Sequence, residues 1–133
     1  MNDAEIAKKN DMLFRLCNRW LFLKNKGKRI SDYLAKRKVS QVAVYGCGEL
    51  GNRLIEELYQ SNIHVLVGID INALHTDAPI EVVLPMTENC KKWEQADAII
   101  VTSVYNYNDV ATKMKELGYD KQIIALNDIL MDM

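Results

Sequence analysis

The chain is poor in the groups from which catalytic and metal centres are usually built. Its 133 residues include three cysteines, two histidines and two prolines. Cys17, Cys47 and Cys90 are odd in number, far apart and never spaced C-x-x-C, so the pattern implies neither a disulfide framework nor a zinc site, and they read as reduced cysteines. His64 and His75 stand alone, which predicts structural roles and no metal. None of Tyr33, Tyr45, Tyr59, Tyr105, Tyr107 and Tyr119 has a lysine four residues on. The Tyr-x-x-x-Lys base of short-chain reductases and sugar epimerases is therefore missing. No G-x-x-x-x-G-K-[ST] occurs, which excludes a P-loop. The longest apolar runs, such as Ala98 to Val101, are too short to span a bilayer, and the N-terminus has no apolar signal-peptide core. A cytoplasmic protein without a transmembrane segment is expected.

What is present suits one globular unit: 49% apolar residues, 26% charged residues and a net charge of −1. That charge hides an asymmetry. Residues 1 to 40 hold eleven Lys/Arg and four Asp/Glu, a balance of +7, and the remaining residues hold six and fourteen, a balance of −8. The basic part lacks interleaved aromatics and any DNA-binding signature, so nucleic acid is not the expected partner. A basic helical segment packed on an acidic body, its own or a partner's, is.

Apolar residues at Ile6, Leu13, Leu16, Cys17, Trp20 and Leu23 follow the helical rhythm and predict an amphipathic helix over Asp3 to Leu23. Gly27 ends it, and a shorter helix over about Arg29 to Lys38 completes a hairpin over residues 1–39. The cluster Trp20-Leu21-Phe22-Leu23 covers more of the circumference than one core face needs. It predicts a homodimer or docking onto a partner enzyme, with a peripheral membrane helix as the alternative.

From residue 40 to 133 the signals alternate. Strands are expected at Gln41 to Tyr45, Ile63 to Ile69, Ile80 to Leu84, Ala98 to Thr102 and Gln122 to Leu126. Helices are expected at Glu49 to Gln60, Thr87 to Gln95 and Asn106 to Leu117, with a last helical turn at Asp128 to Met131. This predicts an α/β domain: a Rossmann-like parallel sheet of five strands in the order 3-2-1-4-5, flanked by helices.

Gly46, Gly48 and Gly51 are spaced G-x-G-x-x-G between the first strand and the helix after it. In that setting the first glycine makes the turn, the second lets backbone approach a pyrophosphate and the third lets helix and strand pack closely. Asp70 ends the second strand nineteen residues after Gly51, where a carboxylate hydrogen-bonds ribose hydroxyls. The expected binding set is Gly46, Cys47, Gly48, Glu49, Leu50, Gly51 and Asp70, with Thr102 and Ser103 at the switch point of the sheet. The acid at Asp70 favours NAD over NADP. S-adenosylmethionine fits less well, because Tyr45 stands where methyltransferases carry an acid. Glu49 opposes this reading, since a carboxylate there can itself occupy the helix N-terminus. A helix N-terminus would favour a thiolate at Cys47, but a small side chain is all the turn requires, and that is the expected role of the residue.

The segments KNKGKRISDYL, VAVYGCGELGNRLIEEL, VGIDIN, ADAIIVTSVYNYNDVATKMKELGY and IIALNDIL resemble the small Rossmann-like proteins and domains found with bacterial surface-polysaccharide genes. The likeness is strongest over residues 42–70 and 97–130. It implies a role near capsule, lipopolysaccharide or other glycan assembly but supplies no reaction. By position, Gly46, Gly48 and Gly51 match the glycine turn, Asp70 matches the acid after the strand, and Glu49 belongs to the shared pattern. The expected function is an accessory or regulatory protein binding NAD or a nucleotide-sugar. The alternatives are a small NAD-dependent oxidoreductase or nucleotide-sugar-modifying enzyme, with Thr102, Ser103 or Tyr105 at its centre, and a ligand-free scaffold.

Overall fold

The structure, a computed structural model, describes residues 1–86 and 92–133. Two helices come first, α1 (Asp3–Asn25) and α2 (Ile30–Lys36), followed by β1 (Gln41–Tyr45), α3 (Glu49–Tyr59) and β2 (His64–Ile69). After a loop come the short β3 (Val82–Val83), β4 (Ala98–Val101), α4 (Tyr107–Glu116), β5 (Gln122–Ala125) and α5 (Leu126–Asp132). All strand pairings are parallel, and the order is 3-2-1-4-5 as the alternation predicts. Of the helix expected over Thr87 to Gln95, the part Lys92–Gln95 is a 3-10 turn. The remainder, with Cys90, lies outside the described residues.

The central strand shows why the sheet is covered on both faces. Val42, Ala43 and Val44 are fully buried, and alternation sends them to opposite sides. Val42 and Val44 join Leu16, Trp20, Leu23, Leu34, Leu54 and Leu58 beneath α1, α2 and α3. Ala43 and Tyr45 join Trp93, Val110, Met114 and Tyr119 on the α4 side. Gly27, at φ +75°, takes the left-handed position after α1, and the Lys28 and Gly27 amides return to the Leu23 and Lys24 carbonyls.

The N-terminal hairpin shares its core with the sheet, and this alters the expected docking surface. Trp20 is only 6% exposed, and its indole N–H donates to the Glu57 carboxylate on α3 at 3.0 Å. It is therefore core of its own chain and unavailable to a partner. The outward apolar side chains of α1 are Phe14, Leu21 and Phe22, with Ile6 and Cys17 also exposed. Helical periodicity places Ile6 and Cys17 inward, but the buried residues of α1 are Leu16, Trp20 and Leu23, so Ile6 lies on a first half in which no side chain is buried and Cys17 lies at the edge of the buried stripe. No helix among the described residues is long and apolar enough to cross a membrane.

Candidate functional site

The carboxyl ends of β1, β2 and β4 meet at the point where the strand order reverses, and a cleft of about 460 Å³ opens there. Gly46, Gly48, Glu49, Leu50, Gly51, Asp70, Thr102 and Ser103 all line it, together with Tyr45 and Tyr105. The tertiary structure thus brings together every residue of the expected set except Cys47.

The three glycines have three different surroundings. Gly46 has φ +93°, and a Cβ there would lie 2.5 Å from Thr102 Oγ1. A Cβ on Gly51 would lie 2.1 Å from the Gly46 carbonyl oxygen, so α3 can approach the turn only without a side chain at this position. Gly48 is unlike both. It carries no positive φ, and a Cβ on it would meet nothing within 4 Å. Packing accounts for the first and third glycines and leaves the second unexplained.

Gly48 is also the N-cap of α3, and no side chain caps that helix. The Glu49 side chain is exposed and forms no hydrogen bond with the first-turn N–H groups. Glu49 therefore leaves the N-terminus open, contrary to the self-capping its position allows. The free N–H groups and the positive end of the helix dipole are aligned at the cleft.

Asp70 closes the opposite wall. One carboxylate oxygen accepts from the Cys47 amide at 2.8 Å and the other from the Asn72 amide at 2.8 Å. The carboxylate thereby fixes the glycine turn to the end of β2, and each oxygen keeps a lone pair for a further donor such as a ribose hydroxyl. Thr102 Oγ1 donates to the Gly46 carbonyl at 2.7 Å and also lies 3.2 Å from that of Tyr45. Its hydroxyl is engaged in holding the turn against β4. Ser103 Oγ is buried at the cleft with no partner among the described residues. Asn106 stands at the N-cap of α4 but makes no capping bond, so its amide is left facing the cleft. Tyr45 is buried, and desolvation with the nearby Asp70 charge pushes its phenol up.

Cys47 departs from expectation. Its side chain turns into the core, with Sγ 3.5 Å from the Val44 carbonyl oxygen, and it does not line the cleft. Burial first and the Asp70 charge second push the thiol up to about 12, against the thiolate a helix N-terminus favours. A buried sulfur loses hydration of its anion, and the nearest fixed charge is negative. The same sulfur explains Gly68 inside β2, where a Cβ would lie 2.5 Å from it. Native protein treated with iodoacetamide at neutral pH is expected to be alkylated at exposed Cys17 and spared at Cys47, as read by peptide mass mapping. Prompt labelling of Cys47 in folded protein would refute this environment.

Several lining residues carry no local sequence signal, among them Lys9 and Leu13 from α1 and Asp109 and Lys113 from α4. Lys9 Nζ sits 4.1 Å from the Tyr105 ring centroid, which anchors the ammonium at the mouth of the cleft. The basic surplus of residues 1 to 40 is the only hint of such a cation, and it does not say which lysine.

No three His, Cys, Asp or Glu side chains come together as a metal-binding group among the described residues. Comparison with known proteins finds no match: no family model, no curated protein and no solved structure aligns with the chain.

Proposed function

We propose that the chain is a nucleotide-binding module whose ligand, NAD or a nucleotide-sugar, lies with its pyrophosphate against Gly48 and the open N-terminus of α3. The observation that carries the reading is Gly48: a glycine required by neither a positive φ nor packing, at an uncapped helix end, across the cleft from a carboxylate. In this reading Asp70 accepts from the ribose hydroxyls, and Gly46, Gly51, Thr102 and the Cys47 backbone amide hold the turn in shape. Lys9 and Lys113 offset the charge of Glu49 and Asp109 around the phosphates. Asp70 would repel a 2′-phosphate, so NADP is the weaker ligand.

The role is an accessory or regulatory one in the cytoplasm. The Thr102 hydroxyl is committed to a backbone carbonyl, and the Tyr45 phenol is pushed away from the range of a general base. Service to glycan assembly rests on the resemblance of residues 42–70 and 97–130, and any self-association or docking would use Phe14, Leu21 and Phe22.

The test is thermal unfolding of the folded chain with NAD, NADP, S-adenosylmethionine, coenzyme A and UDP- or CMP-sugars. A true ligand at a hundred times its Kd should stabilise by about 2.7 kcal/mol. Gly48→Asp should abolish that shift. The same substitution supplies α3 with a capping carboxylate and should raise the unliganded stability by a few tenths of a kcal/mol, roughly. Stability and binding then move in opposite directions. No shift with any of these compounds would refute nucleotide binding.

A further inference from the structure

A second cavity of about 400 Å³ adjoins the nucleotide cleft on the β5 side of the sheet. The two share Tyr105, Asn106 and Asp109, which form the ridge between them. Their chemistry differs sharply. The nucleotide cleft contains Lys9, Lys113 and the open end of α3, and so has three sources of positive potential. The second cavity has no cationic side chain: Asn108, Asn127 and Asp128 complete its polar wall, its charged groups, Asp109 and Asp128, are both carboxylates, and its only positive potential comes from the uncapped first turns of α4 and α5.

The two carboxylates disfavour phosphate, and the wall combines hydrogen-bond acceptors with amide and helix N-terminal N–H donors. Asn127 Oδ1 sharpens the requirement, because it is buried and has no partner among the described residues. An acceptor held in that state is satisfied by a donor brought from outside. Asn106 adds an uncommitted amide, since it stands at the N-cap of α4 without capping it. A neutral group rich in hydroxyls matches these demands, each hydroxyl donating to a carboxylate or amide oxygen and accepting from an amide N–H.

Resting on the nucleotide reading above, we infer that the ligand crosses the ridge at Tyr105 and places an uncharged, hydroxyl-rich ring in this second cavity. The ligand is therefore a nucleoside diphosphate sugar, with Asn127, Asn106 and Asp128 as the residues that recognise the sugar. NAD fits the cleft through its adenosine and pyrophosphate, but its nicotinamide ring carries no hydroxyls for these carboxylates and amides to hold.

The experiment is isothermal titration of the full chain with UDP, GDP and ADP, with their hexose conjugates UDP-glucose, GDP-mannose and ADP-glucose, and with NAD. For the base that fits, the sugar conjugate should bind about tenfold or more tighter than its diphosphate. Asn127→Leu and, separately, the exposed and conservative Asp128→Asn should bring that ratio towards one while leaving diphosphate affinity unchanged. The second variant keeps the test valid if the first fails to fold. A diphosphate that binds with no gain from its sugar, or a ratio unmoved by Asp128→Asn in folded protein, overturns the sugar subsite and leaves the nucleotide reading standing. NAD binding tighter than ADP while no sugar conjugate exceeds its diphosphate overturns the subsite in the same way. If none of the seven compounds binds, the nucleotide reading itself falls and the sugar subsite with it.

Discussion

Glu57→Ala is expected to destabilise the protein by about 3–5 kcal/mol, the cost of breaking a buried charged cluster by removing one partner. The Glu57 side chain is 1% exposed. One carboxylate oxygen accepts from the Trp20 indole at 3.0 Å and from Lys24 Nζ at 2.9 Å, and the other accepts from the Ile30 amide at 2.9 Å. Those donors belong to α1 and to the first residue of α2, so this single carboxylate on α3 joins all three helices. It also caps α2, whose own N-cap Arg29 makes no side-chain bond. Truncation leaves the indole and the Ile30 amide buried without acceptors and opens a void beneath α1. Set against a total stability of about 5–15 kcal/mol, a loss of this size is a large fraction of the whole. The melting temperature should fall by on the order of 10 °C or more. A loss below about 1 kcal/mol in chemical denaturation would show that the three bonds do not hold the hairpin. Because α1 carries Lys9 to the cleft, ligand affinity should weaken in the same variant, although Glu57 is not a lining residue there.

The second large effect is expected at Gly51. Gly51→Ala places a Cβ 2.1 Å from the Gly46 carbonyl oxygen. Backbone on both sides must move, and the Gly46 carbonyl is the one held by Thr102. Overpacking of this kind costs about 3 kcal/mol, and the better helix propensity of alanine returns at most about 1 kcal/mol. Urea denaturation should therefore show a net loss of roughly 2 kcal/mol or more. Gly48→Ala is the paired control: its Cβ meets nothing within 4 Å, so it should lose only the N-cap preference of glycine over alanine, about 1 kcal/mol or less. It should still weaken a nucleotide by standing between the phosphate and the N–H groups of α3. Equal stability losses for the two variants would mean that all three glycines serve packing, and would remove the main support for a ligand.

Much of the architecture is legible along the chain. The apolar run at Val42 to Val44, the rhythm of Leu54, Ile55 and Leu58, and the glycine at Gly27 fix element type through local periodicity and backbone freedom. Their alternation fixes a parallel sheet and its order, because right-handed crossovers leave few choices. Element ends are less legible. β3 contracts to Val82–Val83 because an edge strand has one neighbour to hold it, and α5 begins at Leu126, where periodicity alone ends the last strand.

The site divides along the same line. The sequence by itself determined the glycine turn, the acid at Asp70 and their common location, since these depend on short spacings within one β-α-β unit. Only the tertiary structure decided how each residue is used. It turned Cys47 inward, engaged Thr102 with a carbonyl, and left Glu49 exposed at the mouth. It buried Trp20 and set Lys9, from the far N-terminal helix, over Tyr105. These outcomes depend on which surfaces are covered and which donors meet which acceptors once helices pack. Periodicity specifies a face of a helix, but its neighbours are set by long-range packing.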